Sequence, residues 1–274
     1  MNKTKIEWCD STWNPVTGCL HGCEYCYART MVNRFGAKID PDFSENIVVL
    51  DNPVFKEKKS DALPKINPKR EPYPYGFIPT LHKYRLYDCE YKHQKGRNIF
   101  VCSMADLFGE WVPDEWINEV MKACADAPKH NYLFLTKNPK RYRKIYNEKF
   151  PGNIWLGATV TNNFEMDKVG YQLYDSTTSI GSKFIDVAKR FLSIEPLHGK
   201  IEKQLLENVK YFNWIIIGAE SGNRKEKIVP EKEWINSITE QCNKFSIPVF
   251  MKDSLVPIVG EESMRREFPK ELKK

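Results

Sequence analysis

Short apolar runs recur through the second two thirds of this chain, each bounded by polar residues, and this recurrence restricts the possible folds more than any other feature. They are Asn98–Ser103, Tyr132–Thr136, Ile154–Thr159, Arg190–Ile194, Trp214–Gly218 and Pro248–Met251. A run of this length without polar alternation fits a strand covered on both faces, as in a parallel sheet. Amphipathic stretches lie between the runs. Asp114 is placed to cap a helix carrying Trp116, Ile117, Val120, Met121 and Cys124 at helical spacing, and Pro230 to open another with Trp234, Ile235, Ile238 and Cys242. Repeated strand–helix units predict an α/β fold, a parallel (βα) barrel, full or partial and of the TIM type. Two more strands are predicted at Thr12–Val16 and Ile47–Leu50. No side-chain consensus repeats as in a solenoid, and no linker divides the chain, so residues 1–274 are read as a single barrel domain.

One stretch breaks the rhythm. Residues 52–97 hold Pro53, Pro64, Pro68, Pro72, Pro74 and Pro79, with Tyr73, Tyr75, Phe77, Tyr84, Tyr87 and Tyr91 among basic residues. The expectation is an insertion folded over the barrel as a lid; a flexible surface loop is the plainer alternative, although linkers are rarely so aromatic. The net charge of +6 tolerates an anionic partner without requiring one. The best apolar run, Trp214–Ile217, ends at Gly218 and cannot span a membrane, and the first residues lead into no secretory segment. A cytoplasmic protein without membrane contact is expected, and its eight cysteines should be reduced thiols.

Five of those cysteines, Cys9, Cys89, Cys102, Cys124 and Cys242, stand singly and read as small buried hydrophobes. The other three lie in Gly18-Cys19-Leu20-His21-Gly22-Cys23-Glu24-Tyr25-Cys26, a C-x3-C-x2-C loop placed after a predicted strand and before a helix from about Tyr27 to Phe35. Three thiolates on a tight loop suit an iron–sulfur cluster. A [4Fe-4S] cluster has four corners, and three cysteines leave one iron open. S-adenosylmethionine can occupy that corner through its amino and carboxylate groups, and an electron from the cluster can then cleave its sulfonium to a 5′-deoxyadenosyl radical. Tyr25 is placed to pack on the adenine. A structural zinc ion with His21 or Cys9 as fourth ligand is the competing reading, less favoured because such sites usually arrive as two spaced ligand pairs.

The loop resembles the radical S-adenosylmethionine superfamily pattern, C-x3-C-x-aromatic-C. Further blocks are similar to its phage-protein-type branch: Ile6-Glu7-Trp8, Thr12-Trp13-Asn14-Pro15, Cys26-Tyr27-Ala28, Ser103-Met104-Ala105-Asp106-Leu107-Phe108, Leu135-Thr136-Lys137, Leu192-Ser193-Ile194-Glu195-Pro196-Leu197 and Gly218-Ala219-Glu220-Ser221-Gly222. The resemblance runs from residue 6 to about 252 and implies cluster ligation by Cys19, Cys23 and Cys26. The activity associated with the branch is queuine lyase, a carbon–nitrogen cleavage releasing 7-aminomethyl-7-deazaguanine. An electron donor such as flavodoxin or ferredoxin is implied with it. A nucleic-acid substrate, for modification or repair, is the second reading, and a non-enzymatic zinc-binding module the third.

In a βα barrel the chemistry gathers at the C-terminal strand ends. S-adenosylmethionine asks for hydroxyls, a carboxylate, a cation and an aromatic surface, which Ser103, Lys137, Thr159, Glu195 and Tyr25 can supply. A 7-deazaguanine presents a paired donor edge that a carboxylate accepts in two hydrogen bonds, making Asp106, Glu195 and Glu220 candidates, with Asn14 and Lys252 as further substrate contacts. Any one of these is as well explained as a solvated rim residue or half of a structural ion pair. Gly218–Gly222 lacks the Walker lysine, and the basic run Lys137–Lys144 reads as the solvated face of a helix.

Overall fold

The structure, a computed structural model, describes residues 2–40, 42–56, 69–91, 95–145, 152–180, 183–184, 189–222 and 224–273. Before residue 98 lie strands β1 (Asn2–Lys3), β2 (Ser11–Trp13), β3 (Val16–Thr17), β4 (Val48–Leu50) and β5 (Thr80–His82). After it come β6 (Asn98–Val101), β7 (Asn131–Thr136), β8 (Ile154–Val160), the pair β9 (Ser179–Ile180) and β10 (Lys183–Phe184), then β11 (Lys189–Ile194), β12 (Trp214–Ile217) and β13 (Val249–Met251). The main sheet runs β1-β2-β6-β7-β8-β11-β12-β13. Every pairing in it is parallel except that of β1 with β2. β13 does not pair with β2, so the curled sheet is a partial barrel.

All six apolar runs are strands of this sheet, within a residue or two of their expected ends. The two earlier predictions need correcting. Thr12–Val16 is broken at Asn14-Pro15, where Pro15 has no N–H to give a ladder, and yields β2 in the main sheet and β3 outside it. β4 belongs, with β3 and β5, to a three-stranded side sheet. The helices Asp114–Asp126 and Lys232–Lys244 form as predicted, but Pro113 and Glu231 hold their cap positions. The basic run is a 3₁₀ segment, Pro139–Ile145, and is not simply a solvated face: Arg141 is buried, giving hydrogen bonds to the Gly109 carbonyl and Asp114, and the buried Tyr142 hydroxyl donates to the Gly157 carbonyl at 2.7 Å.

Of the insertion, residues 57–68 and 92–94 lie outside the described residues. The described remainder includes β5, whose Leu81 and His82 are fully buried, so this part is an integral side sheet and no surface loop. Side chains alternate across each main strand. Outward residues such as Phe134, Leu156, Leu192 and Ile215 join the large core under the helices. Inward residues Leu133, Trp155, Phe191, Trp214 and Phe250 form a second core with Trp8, Phe268 and Leu272, which fills the base of the half-barrel. Among the described residues no helix is long and apolar enough to cross a membrane.

Candidate active site

The same alternation that builds the inner core carries two residues further to the strand tops. Beyond Leu133 and Leu135 comes Lys137; beyond Trp155 and Gly157, Thr159; beyond Phe191 and Ser193, Glu195; beyond Phe250, Lys252. These four side chains line a cavity of about 720 Å³ above the aromatic base. Asn14, Cys19, Cys23, Tyr25, Cys26, Ser103, Asp106 and Glu220 line it too, so every residue singled out for the site meets in one place.

The cysteine loop is set by close approach. Gly18 has φ +87, and a Cβ there would stand 2.3 Å from the Ile78 carbonyl oxygen, so only glycine lets the loop lie on the side-sheet segment. The Cys19 amide donates to the Phe77 carbonyl at 3.2 Å, and Arg29 donates to the Cys19 carbonyl at 2.8 Å while its guanidinium lies over the Phe77 ring. Cys26 caps the helix Tyr27–Phe35, its Sγ accepting from the Arg29 amide at 3.3 Å. Burial, with Asp106, Cys26 and Cys23 adding to it, pushes the Cys19 thiol up to about 12. A bound cation reverses that balance, as metal ligation does for any thiol.

Two carboxylates pin this loop. Asp106 is buried and has both oxygens in use: Oδ1 accepts from Thr136 Oγ1 at 2.7 Å and the Phe108 amide at 3.0 Å, Oδ2 from the Lys137 amide at 3.0 Å, and His21 Nε2 lies 2.7 Å from Oδ2. Glu220, also buried, is gripped by Arg224 through two hydrogen bonds of 2.7 and 2.8 Å and by His198 at 3.1 Å. The Arg224 hydrogen bonds, with help from His198, hold Glu220 below the usual carboxylate range against the opposing effect of burial. Arg224 also reaches Glu24 of the cysteine loop at 3.7 Å. As candidate substrate carboxylates, Asp106 thus has four acceptor sites engaged by the chain itself and Glu220 three, which leaves them less capacity for a ligand. Asn14 is likewise half engaged, its Oδ1 accepting from Ser103 Oγ at 3.2 Å and the Met104 amide at 3.0 Å.

The remaining polar pairs face the cavity. Lys137 Nζ lies 5.4 Å from the centre of the Tyr25 ring and 3.6 Å from Glu165. Burial alone would push the Lys137 ammonium down, but Tyr25 and Glu165 together hold it above the ordinary lysine value; burial raises the Tyr25 hydroxyl. His198 meets the Tyr25 ring edge-on at 5.1 Å. Glu195 and Lys252 form a short ion pair. Burial disfavours the Lys252 charge, yet Glu195, with Glu7 and Cys9 behind it, outweighs that and raises the group.

Sequence reasoning missed His198, Arg224 and Glu165 and considered His21 only as a zinc ligand. The signal for Arg224 was a cation four residues after Glu220, and that for Glu165 its Asn162-x-x-Glu165 capping spacing, with its carboxylate accepting from Thr161 four residues earlier; His198 carried none, because its partner Glu220 follows another strand. Of the two fourth zinc ligands considered, Cys9 lines a different cavity, with Trp8 and Phe268, whereas His21 lines the cavity of the three thiols, its Nε2 held by Asp106. Among the described residues no three His, Cys, Asp or Glu side chains converge as a single metal ion requires. A four-iron cluster asks for something else, thiolates spaced around a body that takes one at each iron. The three thiols lining one open cavity suit that.

In fold, this partial barrel with its site at the strand tops is similar to spore photoproduct lyase. A double mutant of that enzyme with bound AdoMet and dinucleoside spore photoproduct superposes with a TM-score of 0.54 at 8% identity, covering 91% of this chain and 78% of that one. A single-site mutant of the same enzyme gives 0.49 at 9% identity, covering 86% and 74%. At such identity the likeness is one of fold. The chain belongs to the family DUF5131, described as protein of unknown function, whose model matches residues 3–257. No curated protein matches the chain.

Proposed function

We propose that this protein is a radical S-adenosylmethionine enzyme that holds a [4Fe-4S] cluster on Cys19, Cys23 and Cys26 and breaks a bond in a modified nucleobase or nucleotide. The observation that carries the proposal is the meeting of the three thiols with the strand-top residues around one cavity, on a fold shared with a lyase solved with AdoMet bound. When bound, the cluster supplies the electron that cleaves S-adenosylmethionine. The chain's own residues orient and shield. Arg29, Asp106 and Arg224 fix the cysteine loop from three sides. Tyr25, Ser103, Lys137 and Thr159 offer the cofactor an aromatic face, two hydroxyls and a cation. The aromatic base below closes the barrel to water, which would otherwise compete for a reactive intermediate. The insertion 52–97, which contributes Tyr73 to the cavity wall, acts as the lid.

Two substrates follow from different observations. The phage-protein-type resemblance favours queuine, with carbon–nitrogen cleavage releasing 7-aminomethyl-7-deazaguanine, and Glu195 is then the carboxylate with capacity to read the base. The shared fold favours repair of a nucleic acid, since the similar enzyme was solved with a dinucleoside photoproduct. A flavodoxin or ferredoxin in a reducing cytoplasm fits as electron donor. Anaerobic reconstitution with iron and sulfide, followed by dithionite, S-adenosylmethionine and either queuine or dinucleoside spore photoproduct, decides between them by mass spectrometry. Deoxyadenosine with released deazaguanine base establishes the first substrate; deoxyadenosine with repaired dinucleoside establishes the second. Absence of deoxyadenosine in both reactions overturns the radical reading.

A further inference from the structure

Three strand tops stand side by side in the sheet. Ile194 pairs with Ile217, and Ile217 with Met251, so the next residues, Glu195, Gly218 and Lys252, form one row across β11, β12 and β13. Gly218 is in the middle, and a Cβ on it would stand 3.1 Å from both the Glu195 carboxyl carbon and Lys252 Cδ. A side chain there would press on both, and its absence leaves the outer two room to meet. Their pair differs from the other carboxylates of the cavity. Asp106 is in four hydrogen bonds and Glu220 in three, whereas Glu195 has that to Lys252 alone among the described residues. Both members keep about a fifth of their side-chain surface open. One Glu195 oxygen and the further Lys252 protons are thus available side by side.

We infer that the Glu195–Lys252 pair reads the lactam edge of a nucleobase, Lys252 donating to the ring carbonyl and Glu195 accepting from the adjacent ring N–H. An acceptor beside a donor is the one pattern complementary to this donor beside an acceptor. Guanine-type, 7-deazaguanine-type and thymine-type rings present it with the acceptor outside the ring and the donor within it; adenine-type rings present it with the two positions exchanged and meet the pair only when turned over. This rests on the proposed function, because it supposes a nucleobase in the cavity, and it narrows both candidate substrates to a shared chemical edge.

The test is calorimetric titration of the reconstituted protein with S-adenosylmethionine present, using 7-deazaguanine against 7-deazaadenine and thymidine against N3-methylthymidine. In at least one pair the lactam-bearing member should bind about tenfold tighter or better, the discrimination expected of a two-point base contact. Glu195→Leu combined with Lys252→Met removes both charges without orphaning either, and should abolish the preference. Gly218→Ala displaces the pair without deleting it and should reduce the preference, which keeps the test open if the double variant does not fold. A wild-type preference under about fivefold in both pairs, or one that survives the double variant intact, overturns the inference. Deoxyadenosine production without base preference would sink the pair's role and leave the radical reading standing; base preference without deoxyadenosine would do the opposite.

Discussion

The lower and upper halves of the barrel's inner face are made by the same strands, two residues apart, and they are stabilised in opposite ways. Below, Trp214 has Trp8 at 6.3 Å, Phe191 at 6.1 Å, Phe250 at 6.2 Å and Phe268 at 5.4 Å between ring centres. The chain's two ends provide Trp8 and Phe268, and the tail is tied on by Asn98 Nδ2 to the Leu272 carbonyl at 2.8 Å and Trp214 Nε1 to the Glu267 carbonyl at 2.9 Å. Above, the inner positions hold Lys137, Thr159, Glu195 and Lys252, and stability comes from pairing. A position covered by another part of the chain can be apolar and self-sufficient; a position left facing a cavity must carry groups that tolerate water or a ligand. The boundary between scaffold and site is therefore a step of two residues along each strand.

The sharpest break of this contrast is at the thiols. Cys19→Ala, Cys23→Ala or Cys26→Ala should each abolish deoxyadenosine formation and cluster absorbance after reconstitution, with little change in the unfolding midpoint of the cluster-free protein for the first two and about 1 kcal/mol lost for Cys26→Ala, whose Sγ caps a helix; normal S-adenosylmethionine cleavage by any of them would end the mechanism proposed. Next is the base. Trp214→Ala should lower stability by about 3–5 kcal/mol in urea unfolding, because a fully buried aromatic leaves a cavity that its ring neighbours cannot close. A loss below about 1 kcal/mol would mean that the lower half is not a core. Between the two regions stands Asp106. Asp106→Asn replaces an acceptor with a donor facing His21 and the Lys137 amide, and should cost about 1–3 kcal/mol. Its distinguishing consequence is looser cluster binding, measured as faster iron loss to a chelator; unchanged iron retention would make the residue a strand-end brace and no more.

The lower region was legible in the sequence and the upper only in part, for one physical reason. Apolar runs announce strands by composition, and a strand's parity then fixes which residues face inward, so Lys137, Thr159, Glu195 and Lys252 follow from counting beyond Leu135, Gly157, Ser193 and Phe250. What counting does not supply is partners. Nothing local to Glu220 reveals His198, and nothing local to Asp106 reveals that Thr136 and His21 already occupy it, because these contacts cross from one strand to another. The side sheet failed for a related reason: Val48–Leu50 has strand composition, but its partner β5 lies within the proline-rich stretch that breaks the strand–helix rhythm and reads as an insertion over the barrel.

The smallest expected effect separates charge that is paired from charge that is refused. The cavity keeps its ions by pairing them, whereas His82 in the side sheet is fully buried, with Nε2 2.9 Å from Thr17 Oγ1 and Nδ1 3.2 Å from the Tyr84 hydroxyl. Burial, with Arg85 nearby, pushes its ring down to about 3 from the ordinary 6.5. A folded value below the unfolded one means that the native state binds fewer protons between these limits, so the contribution is fully present above pH 6.5 and fades as pH falls toward 3. His82→Gln keeps a hydrogen-bonding side chain but cannot titrate. The difference in stability between wild type and variant should be flat above pH 6.5 and slope below it, shrinking as the medium becomes more acid. Thermal melts across that range read this directly. A difference that stays constant with pH would show that His82 carries its proton in the fold, and that the side sheet tolerates charge as the cavity does.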